Sequence, residues 1–317
     1  MKKIFINNLL ITLIFFLLFE IFLRSFDLSE LRGHGKELIE KQKNTETIVF
    51  GKKVYLDKYG YRVPNKKHQY NNKLEKIIFI GDSVLFGSGM NEENTFVSKL
   101  RKSKKKYSFI NAAIVGNNIE QIYLDVKKNY KLFDANTFFI ILTLDDILST
   151  QKTDNTNQKK INKTIIQKLK QNTFLNKLNF FLRSKSYTYM WVKGVITKPS
   201  ERYFTETFNY YNDKNKVIFF EKKISEINIL SKSKKLNIKF VLLPYEYQIR
   251  NFCNSNLLVP QKKIKEIFEV KNIEFIDLTE KFCNHREGKK LYLNFDPVHL
   301  SIKGHEFVHE LLTREIN

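Results

Sequence analysis

The strongest constraint on this chain is a set of short runs that are apolar on successive residues. Lys76-Ile77-Ile78-Phe79-Ile80 is the clearest. A strand apolar on both faces has to be covered on both sides, which suits the interior of a parallel sheet. Tyr107 to Asn111, Thr137 to Leu144, Ile238 to Leu243 (ended by Pro244) and Ile273 to Ile276 read the same way. Helical segments are predicted between them over Glu93 to Lys102, Ile119 to Tyr130, Ile224 to Lys234, Gln261 to Phe268 and Ser301 to Arg314. In the second, Ile119, Ile122, Tyr123 and Val126 share one face. The alternation predicts an α/β fold, a three-layer α/β/α sandwich with a mostly parallel sheet. The chain has 317 residues, 42% of them hydrophobic, so it can fill such a core. Two cysteines exclude a disulfide-stapled miniprotein.

The N-terminus obeys a different rule. Ile4 to Leu23 is almost wholly apolar and long enough to span a bilayer as a helix, with Lys2 and Lys3 before it. Phe22-Leu23-Arg24-Ser25-Phe26 offers a poor peptidase site, so the segment reads as an uncleaved single-pass anchor in the cell membrane. Glu20 is its odd member, tolerable if it reaches the interface. The expected organisation is a transmembrane anchor over 1–24, a juxtamembrane stalk over 25–54, and one domain over 55–317 with an inserted region at about 150–220; Thr47 to Tyr55 with Tyr59-Gly60-Tyr61-Arg62 reads as a short strand and turn. In that region Ser149 to Lys163 reads as a polar loop. Thr173 to Val195 reads as a helical lid, a membrane-proximal element or an ordinary amphipathic helix pair covering the core.

Lys and Arg number 55 against 33 Asp and Glu, a formal charge of +22. Arg101 to Lys106 is the densest basic run. No zinc-finger spacing or aromatic RNA-binding strand accompanies the charge, so no nucleic-acid partner is implied. Lys, Asn, Ile and Phe share A/T-rich codons, and genome composition accounts for much of the excess. A basic face beside anionic headgroups or acidic glycans is also electrostatically favoured.

Candidate chemistry lies at two places. Gly81-Asp82-Ser83 puts a serine where the first buried strand ends and a helix begins, the position at which open α/β sheets hold ligands. Asp296-Pro297-Val298-His299 lies just before the last helix. A nucleophilic serine needs a base for its proton, and the base needs an orienting carboxylate. An Asp three residues before a His on a loop can turn back onto the imidazole. Gly116 follows the second buried strand and can offer a backbone N–H, and Asp145-Asp146 follows the third.

These ordered blocks resemble the SGNH (GDSL-type) hydrolase superfamily. Phe79-Ile80-Gly81-Asp82-Ser83 matches its first block, Gly116 its second and Asp296-Pro297-Val298-His299-Leu300-Ser301 its last. The flanks Tyr59-Gly60-Tyr61-Arg62, Phe86-Gly87-Ser88-Gly89 and Ile302-Lys303-Gly304-His305 resemble its membrane-anchored bacterial branch, as does the anchor. The resemblance covers about residue 55 to the end. It implies Ser83 as nucleophile, His299 as general base and then acid, Asp296 as its orienting partner, and the Ser83 and Gly116 N–H groups as oxyanion donors. No cofactor or metal is implied. The implied activity is serine-dependent ester hydrolysis through an acyl-enzyme, on O-acyl groups of a cell-surface glycan or lipid, with the catalytic domain outside the cytoplasm. An O-acyltransferase for a surface polysaccharide and a catalytically impaired glycan-binding or assembly protein are the alternatives.

The third block departs from the family. Asp145 stands where an oxyanion-donating Asn belongs, and an ionised carboxylate accepts hydrogen bonds and repels an oxyanion. Asp145 could be protonated and donate; Asn117 or Asn118 could replace it; or the hydrolase could be slow. His305-Glu306-Phe307-Val308-His309 spells H-E-x-x-H, a zinc-protease pattern, but a third protein ligand is hard to find in the few residues that remain. Cys253 and Cys283 follow the last two buried strands, so a disulfide is plausible, and so are two free thiols.

Overall fold

In the computed structural model, which describes residues 2–26, 28–33, 42–148 and 173–316, the apolar runs assemble into one eight-stranded sheet. Its strands are β1 (Thr45–Val49), β2 (Lys52–Leu56), β3 (Arg62–Val63), β4 (Glu75–Ile80), β5 (Tyr107–Asn111), β6 (Thr137–Leu142), β7 (Asn237–Leu242) and β8 (Phe275–Asp277). They lie in the order β1-β2-β3-β5-β4-β6-β7-β8. The last five in sequence are parallel, as their two-sided apolarity requires, with Phe79 between Asn111 and Phe139. Ile78, Phe79, Ile80, Phe138, Ile140 and Ile141 are fully buried.

The antiparallel edge is a departure. The β1–β2 hairpin, Thr45 to Leu56, lies mostly within 25–54, where the sequence shows one short strand at the end of a stalk, and joins the sheet through β3, where Arg62 pairs with Asn111. Val54 and Leu56 alternate inward with period two and enter the core with Val49. The sheet therefore starts at Thr45. Residues 34–41 of the stalk and the loop over Ser149 to Lys163 lie outside the described residues.

The helices are α1 (Lys2–Arg24), α2 (Ser83–Phe86), α3 (Phe96–Ser103), α4 (Ile119–Phe133), α5 (Thr173–Lys185), α6 (Tyr187–Thr197), α7 (Pro199–Tyr210), α8 (Lys214–Lys234), α9 (Glu246–Arg250), α10 (Val259–Val270), α11 (Thr279–Cys283) and α12 (Ile302–Glu315). Helices α4 and α8 pack together on one face of the sheet, and α3 packs with α12 on the other. Strand order reverses between β4 and β6, because β4 leads to β5 on one side while β6, β7 and β8 follow on the other. The carboxyl ends of β4 and β6 therefore flank a topological switch point, where α/β sheets open a crevice.

Helix α1 has a mean hydropathy of 2.3 over its most apolar window and exposes apolar side chains on every face. It is long and apolar enough to cross a membrane, and a signal sequence has the same character. Its Glu20 accepts from Ser186 Oγ (2.9 Å) and from the Tyr187 and Thr188 N–H groups (3.1 and 2.9 Å). A carboxylate there satisfies orphan donors at the start of α6 and matches the helix dipole. Phe19 meets Trp191 edge to face at 5.4 Å. Cys253 and Cys283 form a disulfide, with Cα atoms 5.9 Å apart, which settles the choice the sequence left open.

Candidate active site

Ser83 is held at the end of β4 by local geometry. A Cβ on Gly81 would lie 2.7 Å from the Ile141 carbonyl of β6, so only glycine lets the chain turn there. Asp82 then caps α2, its Oδ1 accepting from Val84 N–H at 2.9 Å. Gly87, at φ +77°, ends the helix in the left-handed region. Arg62, fully buried, fixes the turn that follows. It donates to the carbonyls of Phe86 (2.9 Å), Gly87 (2.8 Å) and Met90 (2.7 Å) and pairs with Glu92 at 2.6 Å. The Tyr-Gly-Tyr-Arg flank thus has a physical task, since a buried guanidinium with this many acceptors is compensated. Arg101 of the basic run also pairs with Glu92, so that part of the charge is structural.

The other half comes from the loop before α12. His299 Nε2 lies 3.0 Å from Ser83 Oγ, and its Nδ1 lies 2.9 Å from Asp296 Oδ1. The same Oδ1 accepts the Val298 and His299 N–H groups at 3.0 and 2.8 Å. With Nδ1–H donating to the carboxylate, Nε2 is left to accept the serine proton. Asp296 is 1% exposed. Burial works to raise its pKa, but the charges of His299 and Arg32 outweigh it and hold the carboxyl well below its usual range. Phe295, just before it, sits at φ +56° and packs its ring against Gly194 of α6, where a Cβ would run into it.

Two elements invisible in the sequence patterns complete this wall. Arg32 Nη1 lies 3.3 Å from Asp296 Oδ2, and its guanidinium stacks 3.8 Å from the Phe50 ring centre. Phe50 in turn meets His299 edge to face at 5.2 Å. Both residues belong to the segment read as a stalk. The only sequence signal was a lone Arg and a lone Phe in a polar stretch.

The opposite wall is built at the end of β6. Asp145 Oδ1 accepts from Thr143 Oγ1 (2.8 Å) and from the Tyr245 hydroxyl (2.5 Å), and Oδ2 accepts from the Tyr203 hydroxyl (2.7 Å). A carboxyl with both oxygens occupied by O–H donors is arranged as an acceptor. Its neighbours carry the proton pressure. Burial, then the charge of Asp145, pushes Asp82 up to about 6. Burial, then Asp82 and Asp145, raises Asp146 well above the carboxylate range. Thr143 joins all three, at 3.2 Å from Asp82 Oδ2 and 3.4 Å from Asp146 Oδ2.

Gly116 has φ +85° and open space where a Cβ would stand. Among the described residues neither its N–H nor that of Ser83 enters a backbone hydrogen bond. Of the two asparagines considered from sequence, Asn117 spends its amide on Asp125 Oδ2 at 2.7 Å. Asn118 caps α4 with Oδ1, accepting from Glu120 and Gln121 N–H, and its NH2 has no partner among the described residues. A cavity of about 690 Å³ brings these groups together. Ser83, His299, Gly116, Asn118 and Asp145 line it, with Arg183, Arg202 and Tyr203 from the inserted helices.

The H-E-x-x-H residues lie apart from this cavity. His305 is buried, with Nδ1 accepting from Phe96 N–H at 3.4 Å, and burial pushes it down to about 3. Glu306 pairs with Lys99 at 3.0 Å and His309 Nε2 contacts Ser103 Oγ at 3.0 Å. Each is engaged by α3, so the i, i+4 spacing serves helix packing.

No protein-family model matches the chain, and no curated protein matches it. Among solved structures, the chain is similar to a lipase/acylhydrolase from Enterococcus faecalis (15% identity, 77% of this chain and 95% of that one, TM-score 0.43). It is also similar to the acetyl xylan esterase AlAXEase (15%, 76% and 100%, 0.46) and to a catalytic mutant of Axe2, an acetylxylan esterase from Geobacillus stearothermophilus (15%, 77% and 94%, 0.43).

Proposed function

We propose that this chain is a serine-dependent ester hydrolase of the SGNH (GDSL-type) kind, working through an acyl-enzyme. The observation that carries the reading is the continuous Ser83 Oγ–His299 Nε2 and His299 Nδ1–Asp296 Oδ1 pair of contacts at 3.0 and 2.9 Å. Ser83 Oγ attacks the ester carbonyl while His299 Nε2 takes its proton. The oxyanion that forms is met by the N–H groups of Ser83 and Gly116, with the Asn118 amide as the third donor in place of the one Asp145 cannot supply. His299 then protonates the departing alkoxide. Water activated by the same imidazole releases the acid and restores Ser83.

Location narrows the substrate to O-acyl groups of a cell-surface glycan or lipid. α1 serves as a single-pass anchor, and the disulfide supports a domain outside the cytoplasm, since such bonds persist in oxidising compartments. Phe174, Phe181, Trp191 and Ile196 of α5 and α6 are exposed beside the anchor, which suits a domain resting on the bilayer surface. A fluorophosphonate probe tests the reading. It labels the wild-type protein and leaves Ser83→Ala unlabelled; an unlabelled wild type would refute the acyl-enzyme.

A further inference from the structure

Groups of both charges line the cavity. Of the carboxylates, Asp82 is buried and Asp145 partly buried. Arg32 and Arg183, partly buried, and Arg202, exposed, line the same space. Arg32 is committed to Asp296. Among the described residues, Arg183 and Arg202 form no ion pair and no side-chain hydrogen bond. The acidic groups lining the cavity are otherwise engaged: Asp145 by three hydroxyls, Asp82 by Val84 N–H and Thr143, and Glu206 by the Tyr210 hydroxyl at 2.9 Å. Arg183 is partly buried, and Lys193 of α6, bonded to Asn179 Oδ1 at 2.8 Å, stands close behind. Burial, then the charges of Arg183 and Arg202, pushes Lys193 down to about 8. Arg183, Arg202 and Lys193 repel one another, with Asp296 offsetting part of this at Arg183, and an anion placed among them relieves the rest. The planar guanidinium fork suits a carboxylate or phosphate held by two parallel hydrogen bonds.

We propose that Arg183 and Arg202 form an anion subsite at the rim of the catalytic cavity, taking a carboxylate or phosphate that the acylated substrate carries near the ester to be cleaved. This rests on the esterase reading above and names its substrate class, an O-acylated acidic molecule. The cavity volume is in the range that holds a sugar-sized ligand. The subsite comes from α5 and α7, so the inserted helices set specificity while the sheet ends supply the chemistry.

The test uses the full-length protein in detergent micelles and three acetyl esters: a neutral hexose, a hexuronic acid and a hexose phosphate. The wild type is expected to prefer at least one acidic ester, and the ratio of its kcat/KM to that of the neutral ester falls about tenfold or more in Arg202→Gln and in Arg183→Gln. Arg183→Lys restores part of the ratio. Which acidic ester is preferred distinguishes carboxylate from phosphate. Because Arg202 is exposed, its replacement leaves packing intact, and a thermal melt checks both variants. Separately, Ser83→Ala should bind inorganic phosphate by calorimetry and lose that binding with Arg202→Gln. A wild-type ratio near one, or a ratio unchanged in both arginine variants, overturns the subsite. Fluorophosphonate labelling keeps the two readings apart. A labelled protein without acid preference refutes only the subsite, whereas an unlabelled protein that binds phosphate through Arg202 refutes only the esterase.

Discussion

The two walls of the cavity were made in different ways. The Ser83–His299 wall is fixed by short-range rules: a glycine where β4 passes β6, a carboxylate cap on α2, and an aspartate three residues before its histidine. Every one of these is a local pattern. The facing wall gathers Thr143 and Asp145 from just beyond β6, Tyr245 from beyond β7 and Tyr203 from α7, the two tyrosines lying 100 and 58 positions from Asp145. The association of the tyrosines with Asp145 depends on tertiary packing alone. In the proposed mechanism the first wall contains the group that attacks, and the second bears on how the charge created by attack is received. The comparison teaches that a chain can keep a nucleophile's local grammar while rebuilding the surroundings that tune it.

The sharpest way to break the comparison is on the first wall. Asp296→Asn can keep an oxygen for the loop N–H groups but removes the negative charge that stabilises the His299 imidazolium, so kcat should fall by about 10,000-fold. A loss of less than tenfold would mean that Ser83 is not activated through His299.

The second wall predicts smaller effects of opposite sign. Asn118→Ala should lower kcat by roughly a hundredfold, the scale of one lost oxyanion donor, with KM little changed. Asp145→Asn removes a negative charge from the cavity while its remaining oxygen still accepts from Thr143 and Tyr245. It should raise kcat by roughly threefold, under about 1 kcal/mol. Steady-state kinetics on one activated ester reads both. A rise in Asn118→Ala or a fall in Asp145→Asn would reverse the roles assigned to the two residues.

The smallest effect concerns stability. Asp82 is pushed up to about 6, so between the ordinary carboxylate range near pH 4 and pH 6 the folded chain keeps a proton that the unfolded chain has released. Its contribution to stability therefore declines as pH rises through that window. Asp82→Asn, which retains the cap on Val84, should make the melting temperature flatter between pH 4 and 6. Asp146 works in the same direction, so the slope shrinks without vanishing. An unchanged slope would show that Asp82 titrates normally.

Much of the fold was legible because two-sided apolar runs permit few alternatives. Strands β4 to β8 and helices α3, α4, α10 and α12 lie close to where periodicity put them, whereas α8 begins at Lys214, before the Ile224 read from sequence, and α7 and α9 were not read. The β1–β2 hairpin was not read as part of the sheet. It is short, exposes Glu46, Ile48 and Lys53 on its outer face, and among the described residues pairs with the sheet through the two-residue β3. That Ser83, His299 and Asp296 come together in the fold was legible from the ordered blocks that carry them. Arg32, Phe50, Tyr203 and Arg183 were not, because single residues in polar or helical stretches become site residues only when the chain is folded. The acceptor role of Asp145 was half legible: its charge conflicted with a donor's task, but the hydroxyls that settle it are distant in sequence.

The Glu20 cap has a mechanical consequence. Three donors at the start of α6 close on one carboxylate near the end of α1, and α6 presents Gly194 to the Phe295 ring beside Asp296. Helix α1 is thus coupled to the loop that carries Asp296 through a single helix instead of a slack tether. If α1 anchors the chain as proposed, the cavity has a set working height above the bilayer. It would then reach only groups that the surface presents at that distance, and lengthening the chain before α1 ends would change which ones those are.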